Sequence, residues 1–196
     1  MSTTLPTSPR PREITPYWVH TRSDMASIVG AATQRRERTG QRFGIEGVLP
    51  PMSAADALPW QVAFLKAADT CVLELPEPGI TMGSPGSPLV NGGSQTGSTL
   101  VTDTWTSGYV IKAGKWIAVS ISSLIYLHQC TADTTATGGA ASIPIQPPLR
   151  ASPADNAALI INPAKIEGYV TFDDGALTIS VERIMAGCTF RIEERK

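Results

Sequence analysis

Apolar and polar residues alternate with period two along much of the chain, most clearly from Gln41 to Leu49. There Phe43, Ile45 and Leu49 interleave with Arg42, Gly44 and Glu46, the signature of a strand with one buried face. The whole stretch from Tyr17 to Met52 reads as strands, and Pro50-Pro51 ends it. Ser53 followed by Asp56 then resembles a capping box and predicts a helix running to about Ala68. Pro59 removes one helical hydrogen bond, so the regular helix is predicted to begin near Leu58. Leu58, Val62 and Leu65 form an apolar stripe with Trp60 and Phe64 beside it, which predicts a helix packed on a sheet. Thr70 to Leu75 is a further strand, closed by Pro76 and Pro78.

At Gly79 the apolar periodicity stops for about twenty residues (GITMGSPGSPLVNGGSQTGST), a composition that reads as a boundary or linker. Alternation returns in Lys115 to Ile121 and Leu124 to Cys130, joined by a tight turn at Ser122-Ser123, and two shorter runs follow at Ala140 to Ile145 and Ala157 to Ile161. Toward the C-terminus come Ile166 to Phe172, an Asp173-Asp174-Gly175 turn, Ala176 to Met185, and Cys188 to Glu193 with Phe190 and Ile192 inward. These last strands match the N-terminal ones in length and charge. The chain is therefore read as mainly β: a β-sandwich with one helix, from residues 17–78 and 165–196, carrying an inserted small β-barrel or sandwich domain, residues 79–164. Residues 1–16 hold Pro6, Pro9, Pro11 and Pro16 and form an extended Pro-rich arm, predicted to be ordered by a neighbouring subunit.

Composition supports the β reading. Only 17% of the 196 residues are charged, and there are 17 Gly and 16 Pro. A net charge of −1 argues against a protein that holds nucleic acid mainly by neutralising phosphates. The N-terminus lacks the apolar stretch of a signal peptide, and no run approaches the roughly 20 apolar residues of a membrane span. The expectation is a soluble protein made in a cytoplasm. Cys71, Cys130 and Cys188 are odd in number, far apart and set in apolar runs, so they read as reduced structural thiols.

Candidate chemistry is sparse. His20 and His128 have no second ligand at metal-binding spacing, and His128, between Leu127 and Gln129, reads as a hydrogen-bonded structural histidine. Asp173-Asp174 and Glu193-Glu194 are adjacent carboxylates on opposite strand faces, and read as a turn and a tail. Ser84 and Ser87 lack a nucleophile elbow, and the glycine-rich segment lacks the Lys and hydroxyl of a phosphate loop. No catalytic set, cofactor site or metal site is predicted, and the protein is read as a non-enzyme. Trp105, Tyr109, Trp116 and Tyr126 could make a sugar-stacking platform, although aromatic residues on strands more often pack a core. Arg35, Arg36, Arg38 and Arg42 cluster around a turn, either as a solvated hairpin tip or as a contact to an acidic surface. With Arg10 and Arg12 of the arm they are the subunit-interface candidates.

Several segments resemble, in order and spacing, a segment of bacteriophage tail proteins: Gly40-Gln41-Arg42-Phe43 leading to Leu49-Pro50-Pro51-Met52, Ala63-Phe64-Leu65, Gly86 to Gly92 with Gln95-Thr96-Gly97, and Leu100 to Trp105. Ile111 to Lys115, Tyr126 to Asp133, Gly138-Gly139 and Pro148 to Asp155 continue it, so the resemblance covers about residues 38–165. Its best fit is to the distal tail proteins of long-tailed phages. That resemblance implies a β-sandwich belt in a ring, commonly of six copies, bearing a second β domain. It also implies a structural virion protein of the phage tail tip or baseplate, made in the host bacterial cytoplasm. Its partners would be further copies of itself, the tail tube protein and the tail-tip hub protein, with the tape measure protein as a further candidate, and neither specific nucleic acid nor membrane. The alternative is a tail-associated binding module whose inserted domain contacts host glycan or a receptor-binding protein.

Overall fold

A computed structural model of the chain describes residues 2–26, 30, 32, 34–37, 40–67, 70–79, 81–172, 184–185 and 188–195. In chain order its strands are β1 (Thr3–Thr4), β2 (Glu13–Val19), β3 (Arg22–Met25), β4 (Gln34–Glu37), β5 (Arg42–Val48), β6 (Met52–Ser53) and, after helix α1 (Ala54–Lys66), β7 (Cys71–Glu74). There follow β8 (Gly86–Val90), β9 (Gly97–Trp105), β10 (Val110–Ile111), β11 (Trp116–Ile121), β12 (Leu124–Cys130), β13 (Thr134–Thr135), β14 (Ala141–Leu149) and β15 (Leu159–Ile160). Last come β16 (Lys165–Phe172), β17 (Ile184–Met185) and β18 (Thr189–Glu194). The fold is mainly β, as the sequence predicts, and is built on two six-stranded sheets.

The first sheet has the order β1-β7-β16-β18-β5-β2, antiparallel except for the parallel β1–β7 pair. Period-two alternation sorts its side chains. Phe43, Ile45, Phe190 and Ile192 are buried on one face. On the other, Arg191 pairs with Glu46 at 2.9 Å and Arg42 with Glu193. The Leu49 N–H donates to the Cys188 carbonyl, so odd-numbered N–H groups of β5 face β18 and even-numbered ones face β2. Pro16, opposite Ile45 on the edge strand β2, thus has its nitrogen outward, where a proline costs no ladder bond and blunts the free edge. Gly168 is required at its position, because a Cβ there would lie 2.1 Å from the Glu193 carbonyl oxygen.

The arm docks on its own chain. Thr3 and Thr4 pair with Cys71 and Val72, Leu5 is buried, and β2 already begins at Glu13. The expectation that a neighbour orders it is corrected: strand pairing and one buried leucine anchor its start.

Helix α1 starts at once after Ser53, whose Oγ accepts from Asp56 N–H and donates to the Asp56 carboxylate. The capping box therefore overrides the predicted delay to Leu58. Pro59 removes only its own bond to Ala55, within an exposed turn. Ala57, Trp60, Ala63 and Phe64 face the core, with Trp60 and Phe64 against Phe190 as predicted. The predicted Leu58–Val62–Leu65 stripe is on the opposite side and exposed. The helix has two apolar faces, and the wider one, carrying the aromatic rings, took the core.

The second sheet, order β15-β11-β12-β14-β9-β8, is nearly closed into a barrel. A bridge between Leu89 and Ala158 joins its ends, with Val90 N–H donating to Ala157 O and Asn156 N–H to Val90 O, both at 2.9 Å. The segment after Gly79, read as a linker, supplies β8 and the start of β9. Its glycines and serines hid the strands because few of its inward positions, Val90 and Leu100 among them, are large and apolar. Gln95 ties the turn between them by donating to the Asn91, Gly92 and Val101 carbonyls and accepting from Val101 N–H. Inside the barrel lie Ile117, Val119, Cys130, Ile143 and Ile145. Ala118 and Leu127, pointing the other way from β11 and β12, belong to the first core, so one sheet serves two cores. The Asp173-Asp174-Gly175 turn and most of the Ala176 to Met185 strand lie outside the described residues.

Ser122 and Ser123 turn the β11–β12 hairpin with φ of 50° and 65°, a left-handed pair that suits Asn-Gly far better than serine. Replacing them with Asn-Gly is expected to stabilise the protein by about 0.5–1 kcal/mol. A rise in the chemical-denaturation midpoint at unchanged slope checks this.

Candidate functional site

Two features stand out, a buried polar seam between the sheets and an uncovered apolar surface. The seam begins with β12. The Thr131 N–H donates to the Pro144 carbonyl, so odd-numbered N–H groups of β12 face β14, but that pairing ends at Gln129–Gln146. Pro147 and Pro148 follow, and β14 leaves its neighbour. The partly buried Ile125 N–H and the buried Leu127 N–H would then lack acceptors. Carboxylates of the first sheet supply them: Glu167 Oε2 accepts from Ile125 at 2.9 Å and Glu194 Oε1 from Leu127 at 2.6 Å. Glu194 Oε2 also accepts the Phe43 N–H at 2.9 Å and pairs with Arg150 Nη2 at 3.0 Å, and both side chains are buried.

Neighbouring groups complete the seam. Arg150 lies over the Tyr126 ring and donates through Nη1 to the Arg195 carbonyl. Arg195 pairs with Glu167 at 3.5 Å and donates to Thr70 Oγ1 and Ser2 Oγ, and Ser2 in turn donates to Glu167. The buried Lys115 pairs with Glu77 in the segment leading to the barrel, and burial lowers its pKa. Burial also pushes Glu194 up to about 6, against the opposing pull of Arg150 and the two N–H donors. His128 donates from Nδ1 to the Pro147 carbonyl at 2.8 Å, and burial drives its pKa down to about 4 despite that bond. Cys71 and Cys130 are pushed up to about 12 by burial and stand as thiols.

The interface candidates are dispersed. Arg42 is held inside the chain by Glu193, and Arg35 bonds Asp24 at 3.0 Å within the β3–β4 hairpin. Arg36 is exposed on the same hairpin and Arg12 is exposed beside β2. Arg10 lines a cleft of about 220 Å³ with Pro6, Pro11, Glu77 and Met82. Arg38 lies outside the described residues. The aromatic residues form no common platform: Trp105 is buried against Tyr109, Trp116 packs edge-on to Phe43, and Tyr126 lies under Arg150. Among the described residues no three His, Cys, Asp or Glu side chains gather to hold a metal. Sequence reasoning missed Glu194, read as tail. The signal was its parity with Phe190 and Ile192, which places it on the buried face.

The uncovered surface is the outer face of α1. Leu58, Val62 and Leu65 are 57%, 46% and 79% exposed, and Ala54, Ala55 and Pro59 beside them are exposed as well. The β3–β4 hairpin is also bare. Arg22 to Met25 and Gln34 to Arg36 are exposed, and the two strands pair with each other.

The seam sets a pH response. His128 is neutral when buried and protonates below about 6.5 once exposed, so its contribution to stability falls as the pH drops from 6.5 toward 4. Glu194 binds its proton more tightly folded than unfolded, so its contribution rises as the pH falls from about 6 to 4.5. The two oppose, and stability is expected to change little between pH 7 and 5. Glu194→Gln should lose stability over that range and His128→Gln should gain it, as read from denaturation midpoints at both pH values. At pH 7, Glu194→Gln is also expected to cost about 1–3 kcal/mol, because an amide NH2 replaces one of the two oxygens that accept the Leu127 and Phe43 N–H groups and leaves a buried donor facing a donor.

Compared with known proteins, the chain matches no family model, and a search of curated proteins finds no match.

Proposed function

We propose that this chain is a structural protein of a phage virion, forming a ring at the distal end of the tail that connects the tail tube to the tail-tip hub. The observation that carries the reading is the outer face of α1. A helix apolar on both sides belongs in an interior, and the second side of this one lies bare on a single chain. Self-association covers such a face, and the segment-by-segment resemblance to distal tail proteins supplies the kind of assembly. The division of the strands into one sheet of distant segments and one barrel of consecutive ones accords with a belt that carries a second β domain. Further support comes from the blunted edge of β2, which suits side-chain packing between copies better than open-ended strand addition. The tail tube and hub proteins are the neighbours this reading implies.

Mass and symmetry of the purified protein over a concentration series test this. A closed ring, six copies by the resemblance, is the expected result. A monomer at all concentrations, together with its absence from a map of the assembled particle, would overturn the reading.

A further inference from the structure

The seam holds a cavity of about 10 Å³ bounded by Tyr126, Arg150, Glu167, Glu194 and Arg195. That is room for one water molecule and for nothing larger. Two donors of its walls lack acceptors. The Arg150 side chain is only 8% exposed, donates through Nη1 to the Arg195 carbonyl, and has Nη2 3.0 Å from Glu194 Oε2, out of line for a hydrogen bond. Its Nε–H and the Nε–H of Arg195 are buried, and neither has an acceptor among the described residues. The Nε–H and one Nη2–H of a guanidinium point the same way, so a single oxygen beside that edge accepts from both. The carboxylates have capacity to spare. A carboxylate oxygen takes two hydrogen bonds, and among the described residues Glu167 Oε2 holds the Ile125 N–H alone and Glu194 Oε1 the Leu127 N–H alone. Buried donors without acceptors are costly, and one small molecule placed here would satisfy both sides.

We propose that the cavity is a binding site for one water molecule, which accepts from Arg150 and Arg195 and donates to Glu167 and Glu194. Charge selects the neutral occupant. The walls carry two guanidinium and two carboxylate groups, so an anion meets Glu167 and Glu194, and a cation meets Arg150 and Arg195. A molecule with two donors and two acceptors suits all four. Because Arg150 follows β14 of the barrel while Glu167 and Glu194 belong to β16 and β18, the water fastens one sheet to the other.

A crystal structure of the whole chain that resolves ordered solvent tests this. The expected result is an oxygen at about 2.7–3.2 Å from Arg150 Nε, within the same reach of Glu167 or Glu194, and repeated in a second crystal form. Crystals grown with bromide in place of chloride should show no anomalous peak there. A dry cavity, a halide at the site, or an Arg150 Nε–H bonded straight to a carboxylate would overturn the proposal. Solution measurements follow the same division. Arg150→Lys keeps the charge and removes the Nε–H, so the number of long-lived waters counted by magnetic relaxation dispersion should fall by one. An unchanged count in the folded variant would also overturn the proposal, and where Arg150→Lys fails to fold, the native crystal decides.

Discussion

The architecture depends on how two backbone N–H groups are satisfied. Where β14 turns away through Pro147 and Pro148, the Ile125 and Leu127 amides of β12 face a gap in the ladder, and the carboxylates of Glu167 and Glu194 fill it from the other sheet. A buried amide needs an acceptor, and a buried carboxylate needs donors and a cation. Each solves the other's problem, with Arg150 and Arg195 supplying the charge. The barrel is consequently fixed on the first sheet by directional bonds and also by the apolar contacts of Ala118 and Leu127. Such a seam specifies one relative position of the two sheets, which apolar packing alone fixes less sharply.

Much of this was legible in the sequence, and the exceptions have physical causes. Period-two alternation revealed β5, β11, β12, β16 and β18, because each buries one face against a core of large side chains. Trp60 and Phe64 were identified as core for the same reason. The barrel's first hairpin was hidden because turn-forming glycines and serines crowd short strands with few large residues. The orientation of α1 could not be read from apolarity alone, since both sides are apolar and the sequence does not say which is covered by its own chain. Glu194 was passed over because a terminal pair of glutamates resembles a solvated tail, and only counting parity from Phe190 exposes its buried position. The arginines show the limit of sequence proximity. They are clustered in sequence, yet Arg42 turns to Glu193 on the first sheet while Arg35 and Arg36 follow the projecting hairpin.

These features divide the molecule into a rigid part and an adaptable surface. The seam and the two cores leave the relation of barrel to sheet little freedom. Among the described residues, the outside of α1, the β3–β4 hairpin and the cleft beside Arg10 are open surfaces.

The position of β18 has a consequence for synthesis. It lies between β16 and β5, and it carries the glutamate that seals the seam. On a ribosome, β5 emerges more than a hundred residues ahead of β18, its neighbour on the inner side, while β8 through β15 are made in succession and can pair with one another as they appear. The barrel is therefore the nucleus available first, and the surrounding sheet assembles around it only after the region of Glu194 has been translated. A chain that stalls before that point holds a formed barrel beside unpaired strands with exposed apolar faces, the state most exposed to proteolysis and misassembly.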